Sequence, residues 1–174
     1  MKEVLKGIQE ACAEVDNLGG TVLVHKIEHQ NAEDVILAME KMRMEEVRGI
    51  AMVPLDEERV KREIDRFVEE FRIPVVTFTS DVEDTKRLCF VGQNGVQCGR
   101  AAAGLMGELT GGKGKVAVIS GYSTNTSLSS RVVGFREEIA RKYPGIEIIG
   151  PEYCFEENGR AREITEGIFK DVPD

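Results

Sequence analysis

The feature that most constrains this chain is a regular alternation between amphipathic helical segments and short apolar segments. Three stretches carry apolar residues at spacings of three and four, which predicts helices; they are residues 2–17, 32–45 and 57–72. An apolar run follows each of them and predicts a strand, at residues 21–25, 49–53 and 75–79. Helices and strands that alternate over short connections are typical of a parallel sheet covered by helices, so the sequence predicts an α/β fold.

A second series with the same alternation begins near residue 94, after a short apolar run at residues 88–91. Its predicted elements are helices over residues 95–109, 127–142 and 158–170, with strands over residues 115–120 and 146–149. A doubly wound unit usually begins with a strand, whereas this chain opens inside a helix. We therefore expect two parallel-sheet units, both incomplete, over residues 1–93 and 94–174.

Composition and charge disfavour several classes of function. The chain carries 31 acidic and 23 basic residues, and its net charge of −8 disfavours nucleic-acid binding through a broad basic face. No apolar run approaches the roughly 20 residues that cross a bilayer. The first residues lack the continuous apolar core of a signal peptide. These features predict a soluble, globular protein with no membrane partner.

Cysteine and glycine patterns give no sign of a metal or a cofactor. The cysteines at 12, 89, 98 and 154 form no close pair, which disfavours zinc and a disulfide framework and predicts reduced, buried thiols. This pattern favours the cytoplasm. Residues 107–115 superficially resemble a phosphate-binding loop, but Gly114 stands where a Ser or Thr should follow Lys113. The segment also follows a helix, so it predicts a turn, and we expect no cofactor.

A catalytic site finds little support in the sequence. His25 and His29 lie near one predicted strand end, and serines and aspartates are abundant, so a triad is conceivable. However, no GxSxG elbow is present, and Ser120 lacks the sharp strand-to-helix turn of a nucleophile. We expect these histidines at a rim or on the surface. An enzyme of flavodoxin-like type stays a rival reading, and the main prediction is that the chain is not an enzyme.

Polar residues that follow the strands of both units form a candidate ligand site. Ligands of open α/β sheets bind beyond the carboxyl ends of the strands, where Asp81, Asn94, Asn125, Ser127 and Arg131 are expected. Arg131 lies early in a helix, where the positive helix end disfavours it, so another task such as hydrogen bonding a ligand is favoured. For each residue a plainer role stays open: a turn for Asp81, an ion pair for Arg131 and helix capping for the others.

The segment from Ser127 to Phe135 resembles the S-x-x-x-R-x-x-G-F segment of the lac repressor family and of type 1 periplasmic sugar-binding proteins. Preceding segments match that superfamily in order and spacing, and so does the Tyr143-Pro144 turn. The resemblance implies two Rossmann-like lobes joined by a hinge, with a small polar ligand between them. It divides the chain into a first lobe over residues 1–93 that lacks its first strand, and a second over residues 94–174 that lacks its later strands.

The resemblance also implies a function and roles for the candidate residues. Asp81 would contact the ligand from the first lobe, Arg131, Asn125 and Ser127 from the second, and Asn94 would lie at the hinge. The function it implies is the effector-binding core of a lac repressor-like transcription regulator, a cytoplasmic homodimer that binds a sugar and closes its lobes. DNA would be bound only through a helix-turn-helix that this chain lacks. The alternative is the solute-binding receptor of a sugar ABC transporter.

Overall fold

Six helices and five strands make up the protein, as a computed structural model describes it over residues 2–27 and 29–171. The helices are α1 (Lys2–Asn17), α2 (Ala32–Met44), α3 (Glu58–Glu69), α4 (Gly95–Leu109), α5 (Thr126–Lys142) and α6 (Asn158–Asp171). The strands are β1 (Ile50–Met52), β2 (Val75–Phe78), β3 (Cys89–Val91), β4 (Lys113–Ser120) and β5 (Gly145–Tyr153). The outer limits of the predicted units, residues 1 and 174, lie outside the described residues.

The strands form two separate parallel sheets. In the first, β1 pairs with β2 and β2 with β3, with Ile50 opposite Val75 and Val76 opposite Cys89. In the second, β4 pairs with β5, with Lys113 opposite Gly145. The predicted α/β class with parallel sheets is confirmed. Below, the first half means α1 to β3 and the second half means α4 to α6.

The first core lies between α2, α3 and the three-stranded sheet. Val60, Ile64 and Phe67 are fully buried along α3, at spacings of four and three that belong to one helix face. Met39 of α2 and Val75 of β2 pack against them. Fully burying an apolar side chain of this size stabilises a fold by about 1.5–3 kcal/mol. Large buried side chains therefore hold the first half together.

The second core is smaller and depends on close contact between α4 and α5. Ala103, Val116, Ile139 and Ile146 are its buried hydrophobic residues. Gly99 and Gly134 lie where the two helices meet, and a Cβ added at either would overlap the backbone of the opposite helix. Glycine is therefore required at this crossing, because only a residue without a side chain lets the backbones approach so closely.

The predicted strand over residues 21–25 is wrong. Neither sheet includes this segment, and its apolar side chains are exposed; Val24, for example, is 58% exposed. A strand is stable only when its backbone N–H and C=O groups pair with a neighbour. The nearest strand in sequence, β1, pairs with β2 alone among the described residues, so the apolar composition of this segment has no sheet to join.

The N-termini of α2 and α3 differ in their capping. Asn31 caps α2, since its Oδ1 accepts a hydrogen bond from the N–H of Asp34 at 2.8 Å. Asp56 does not cap α3; it forms an ion pair with Lys61 at 2.7 Å, and the N-cap residue is Glu57. The carboxylate of Asp56 is therefore engaged by the lysine amino group, which binds it more strongly than a neutral N–H does.

The cysteines are less buried than the sequence predicts. All four cysteines are free, but Cys89 is exposed and the others are only half-buried, so the prediction of buried thiols is wrong. Cys89 is exposed because β3 lies at the edge of its sheet. Over residues 2–27 and 29–171, no helix combines the length and the apolar character that a membrane crossing requires.

Candidate functional site

Two cavities lie between the first half and the second half. The smaller, of about 350 Å³, is called the aromatic cavity here, and its lining residues are His29, Gln30, Asn31, Tyr122, Phe155 and Glu156. The larger, of about 560 Å³, is called the polar cavity and is described below. Both volumes fall in the range of roughly 300–1,000 Å³ that is usual for small-molecule sites.

Aromatic rings from the second half form one wall of the aromatic cavity. The rings of Tyr122 and Phe155 meet edge to face, with centroids 5.4 Å apart. The guanidinium of Arg160 lies 4.7 Å from the centroid of Phe155, which covers one face of that ring. Arg160 is itself held by a hydrogen bond from its Nε to the carbonyl of Tyr153 at 3.1 Å. These contacts hold Phe155 in place although 39% of it is exposed.

The backbone beside this wall is strained. Phe155 and Glu156 have φ angles of 53° and 60°, in the left-handed region that residues with a side chain rarely adopt. Strain of this kind costs about 1–3 kcal/mol per residue and tends to lie at functional sites. The carboxylate of Glu156 accepts a hydrogen bond from Nε2 of Gln30 at 3.2 Å, which links the two halves across the cavity.

The polar cavity is formed by the ends of β2 and β3 together with the starts of α4 and α5. Its lining residues are Asp56, Lys61, Thr79, Asp81, Glu83, Asp84, Phe90, Gln93, Asn94, Gly95, Val96, Thr126, Ser127, Ser129, Ser130 and Val133. Thr79 follows β2 directly and has a φ angle of 60°. A β-branched residue in this conformation is a clear outlier, so Thr79 marks the cavity as a functional candidate.

Asp81 lines the polar cavity, and its carboxylate is already engaged within the protein. Arg87 donates to both oxygens, from Nε at 2.5 Å and from Nη2 at 2.6 Å, and the hydroxyl of Thr77 donates at 2.8 Å. Burial disfavours the charge, but the hydrogen bonds from Arg87 and Thr77 outweigh it and hold the pKa of Asp81 below its ordinary value. Asp81 is therefore a fixed carboxylate at neutral pH.

The other residues predicted from sequence fall into two groups. Asn94 and Ser127 line the polar cavity with Asp81, although Asn94 also caps α4 by accepting from the N–H of Gln97 at 3.0 Å. Asn125 and Arg131 are not among the residues lining either cavity. Oδ1 of Asn125 accepts from the hydroxyl of Ser80 at 2.8 Å. Arg131 donates from Nη2 to the side-chain oxygen of Gln93 at 3.2 Å, next to the connection between the halves.

Tyr122, Phe155 and Thr79 are the candidate residues that sequence reasoning missed. Thr79 and Tyr122 come just after strands, which is the same signal that pointed to Asp81. Phe155 was missed because the prediction ended its strand at residue 149, whereas β5 continues to Tyr153. A correct strand end would have placed Phe155 beside the predicted site. His29 also lies here, at the cavity rim where the sequence suggested a histidine.

The arrangement suits reversible binding of a polar molecule. In the aromatic cavity, the amides of Gln30 and Asn31, which both donate and accept hydrogen bonds, lie beside the rings of Tyr122 and Phe155, which matches a ligand with hydroxyls on its edge and C–H groups on its face. Among the residues that the structure describes, no group of three or more His, Cys, Asp and Glu is placed to hold a metal ion.

Comparison with known proteins identifies the fold. The chain matches the family described as Periplasmic binding protein domain over residues 1–174. It is similar in structure to an ABC transporter solute binding protein from Burkholderia graminis in complex with D-arabinose, at 25% identity and a TM-score of 0.85, over 91% of this chain and 54% of that chain. GanP, a glucose-galactose binding protein from Geobacillus stearothermophilus, is similar at 27% identity and a TM-score of 0.85, over 96% and 59%.

A third solved structure gives the same result. AraP, an arabinose binding protein from Geobacillus stearothermophilus, is similar at 27% identity and a TM-score of 0.74, over 99% of this chain and 58% of that chain. The chain thus spans somewhat more than half the length of these relatives. No curated protein matched the chain in sequence.

These relatives correct the functional prediction. The lac repressor-like regulator is wrong, because the similar structures are solute-binding proteins of sugar transporters and not regulators. The cytoplasmic location is wrong for the same reason, and the predicted DNA partner and homodimer find no support among them. The prediction that the chain is not an enzyme is confirmed, since this family consists of binding proteins. The match over all 174 residues shows that the chain belongs to the periplasmic binding protein family.

Proposed function

We propose that the chain is the sugar-binding part of an extracytoplasmic solute-binding protein that serves an ABC transporter. The similar structures include solute-binding proteins described with D-arabinose, arabinose, glucose or galactose, which supports a sugar as the ligand class. The two halves close on the sugar, and no bond is made or broken. A ligand drives closure only by the difference between its affinities for the closed and the open arrangement.

The observation that carries this proposal is the aromatic cavity. A sugar ring presents C–H groups on its face and hydroxyls around its edge. The rings of Tyr122 and Phe155 offer a surface for the face, while the amides of Gln30 and Asn31 can donate to and accept from the hydroxyls. The carboxylate of Glu156 adds an acceptor and disfavours anionic ligands. A neutral monosaccharide fits this combination best.

The proposal keeps the lobe division and the site residues predicted from sequence. The lobes are residues 1–93 and 94–174, and the separate sheets support a boundary between β3 and α4. Asp81, Asn94, Asn125, Ser127 and Arg131 are proposed as ligand contacts along the polar cavity and beside the hinge. The paired carboxylate of Asp81 still has lone pairs for a hydroxyl, and the amide nitrogen of Asn125 is free to donate within the hydrogen bonds described.

Isothermal titration calorimetry of the protein with D-arabinose, L-arabinose, D-glucose and D-galactose tests the proposal. We expect saturable binding of at least one of these sugars. Phe155→Ala should weaken that binding at least about tenfold, because a buried aromatic contact is commonly worth more than 1 kcal/mol at an interface.

Phe169→Ala is the matched control. Phe169 lies on α6, is 75% exposed and lies outside both cavities, so its removal should leave sugar affinity unchanged. Absence of heat with every sugar of the panel would contradict the proposed function. Equal affinity in Phe155→Ala and the wild type would contradict the placement of the sugar on the aromatic wall.

A further inference from the structure

Residues 124–126, the end of the connection from β4 together with the first residue of α5, form a bridging segment between the halves. At its end, the hydroxyl of Thr126 binds both backbone groups of Asp81. It accepts from the N–H of Asp81 at 2.9 Å and donates to the carbonyl of Asp81 at 2.5 Å. Thr126 thereby provides a partner for both the N–H and the C=O of a residue in the other half, as a neighbouring strand would do.

The other residues of the bridging segment also bind the first half. The carbonyl of Thr124 accepts from the N–H of Asp56 at 2.9 Å. The side chain of Asn125 accepts from the hydroxyl of Ser80 at 2.8 Å, and Ser80 is only 1% exposed. Every partner in these bonds is a group of the protein itself, so none of the bonds is made through a ligand.

At the N-terminus of α5, a contact between the halves replaces the usual side-chain cap. Asn31, Asn94 and Asn125 all occupy N-cap positions. The first two cap their own helices, accepting from backbone N–H groups at 2.8 Å and 3.0 Å. Asn125 makes no such bond, and its Oδ1 accepts from the hydroxyl of Ser80 instead. α5 thus forgoes a side-chain cap, a stabilising contact elsewhere, in favour of a bond between the halves.

The first half presents a fixed surface to the bridging segment. Thr79, in its strained conformation, turns the chain at the end of β2 just before Ser80 and Asp81. Arg87 and Thr77 hold the carboxylate of Asp81 through bonds within the first half, independently of Thr126. The first-half side of the contact is therefore preorganised.

We propose that the bridging segment is a latch that favours contact between the two halves before a sugar binds and so assists closure, with Thr126 as the residue that fixes it. The effect on sugar affinity rests on the proposed function: apparent affinity falls in proportion to the fraction of protein that is binding-competent, and a latch raises that fraction. The latch itself is independent of any sugar.

Hydrogen exchange of the sugar-free protein, resolved by residue, tests the latch. The amide of Asp81 is protected by Thr126 and the amide of Asp56 by Thr124, so both report on the contact. Thr126→Val removes the hydroxyl but keeps the shape, and Thr126→Ser keeps the hydroxyl. We expect Thr126→Val to speed exchange of both amides about ten- to a hundredfold, as the loss of two ordinary hydrogen bonds implies, and Thr126→Ser to leave both near wild type.

Exchange at Asp56 is the deciding measurement, because the amide of Asp56 bonds to Thr124 rather than to Thr126. Faster exchange at Asp81 alone would show a local hydrogen bond and overturn the latch, and so would unprotected amides at both positions in the wild type. The amide of Ile50, bonded to the carbonyl of Pro74 within the first half, must stay protected as proof of folding. If Thr126→Val does not fold, Ser80→Ala replaces it, with the same expectation for Asp56 and Asp81. Failure of sugar binding would leave this result unaffected.

Discussion

The two halves repeat one alternation of helix and strand but are stabilised in different ways. The first core buries large side chains, among them Phe67, Ile64 and Met39. The second core is smaller, and its helices approach so closely at Gly99 and Gly134 that no side chain fits between them. The same alternation of helix and strand is thus stabilised by large buried side chains in one half and by close contact between helix backbones in the other. The halves should therefore respond oppositely to side-chain size: the first to lost atoms, the second to added ones.

The largest effect is expected from removing the biggest buried side chain of the first core. Phe67→Ala should lower the free energy of unfolding by about 3–5 kcal/mol, because it removes apolar contacts and leaves a cavity. Urea unfolding followed by circular dichroism measures it. Phe169→Ala, at an exposed position of the second half, serves as the control and should stay within about 0.5 kcal/mol of wild type. Similar losses in both variants would remove the basis of the comparison.

In the second half, adding one methyl group should be harmful. Gly99→Ala should destabilise the protein by about 1–3 kcal/mol, since the new Cβ overlaps the backbone of α5. Gly104→Ala, on the same helix, has open space around its Cβ and should stabilise by roughly 0.5–1 kcal/mol through helix propensity. Melting temperatures of the pair give the answer. If both variants raised or both lowered the melting temperature, the close approach of α4 and α5 would not be what determines the tolerated side-chain size in this core.

A charged contact at the polar cavity should make the first half sensitive to acid. The folded pKa of Asp81 is depressed, so its stabilising effect is complete above the ordinary carboxyl pKa of about 3.9 and is lost as pH falls through the folded value. Asp81→Asn should cost about 1–2 kcal/mol at pH 7, and the difference from wild type should shrink below about pH 4. Urea midpoints across this pH range test it. A difference that stays constant with pH would contradict the ion pair with Arg87.

The smallest effect concerns helix caps. Asn31→Ala should destabilise by about 1 kcal/mol, because it leaves the N–H of Asp34 without its partner. Glu57 occupies the same position on α3 without a side-chain cap bond. Glu57→Ala should therefore change the free energy of unfolding by only about a few tenths of a kcal/mol. Equal losses would show that the cap contributes nothing particular to α2.

Periodicity predicted all six helices of the described residues and the parallel class, because a helix carries its own hydrogen bonds and shows its buried face in the sequence. Residues 2–17 and 95–109 were predicted with the observed bounds. The segment at residues 21–25 has the composition of a strand but pairs with no strand of either sheet. Composition alone does not show whether a pairing strand is present. The ends of strands were harder to predict than the ends of helices. β5, for example, continues to Tyr153, whereas the predicted strand ends at residue 149.

The site residues stay a prediction, but three of them share one cavity. The rule that ligands lie beyond strand ends brought Asp81, Asn94 and Ser127 to one cavity. It did not reveal that Asn125 bonds to the other half, since that depends on how the halves meet. The function was misread for a different reason. The segment around Arg131 resembles regulators and transport receptors alike, so the residues themselves do not separate the two classes.

Tyr122 gives the protein an optical consequence. The sequence contains no tryptophan and three tyrosines, so tyrosine emission is not masked by a stronger fluorophore. Tyr122 lies in the aromatic cavity, whereas Tyr143 packs against Gly107 at the second core. A molecule entering the cavity would change the surroundings of Tyr122 and leave those of Tyr143 as they are. The unmodified protein can thus be titrated by its own fluorescence, with Tyr122→Phe as the blank.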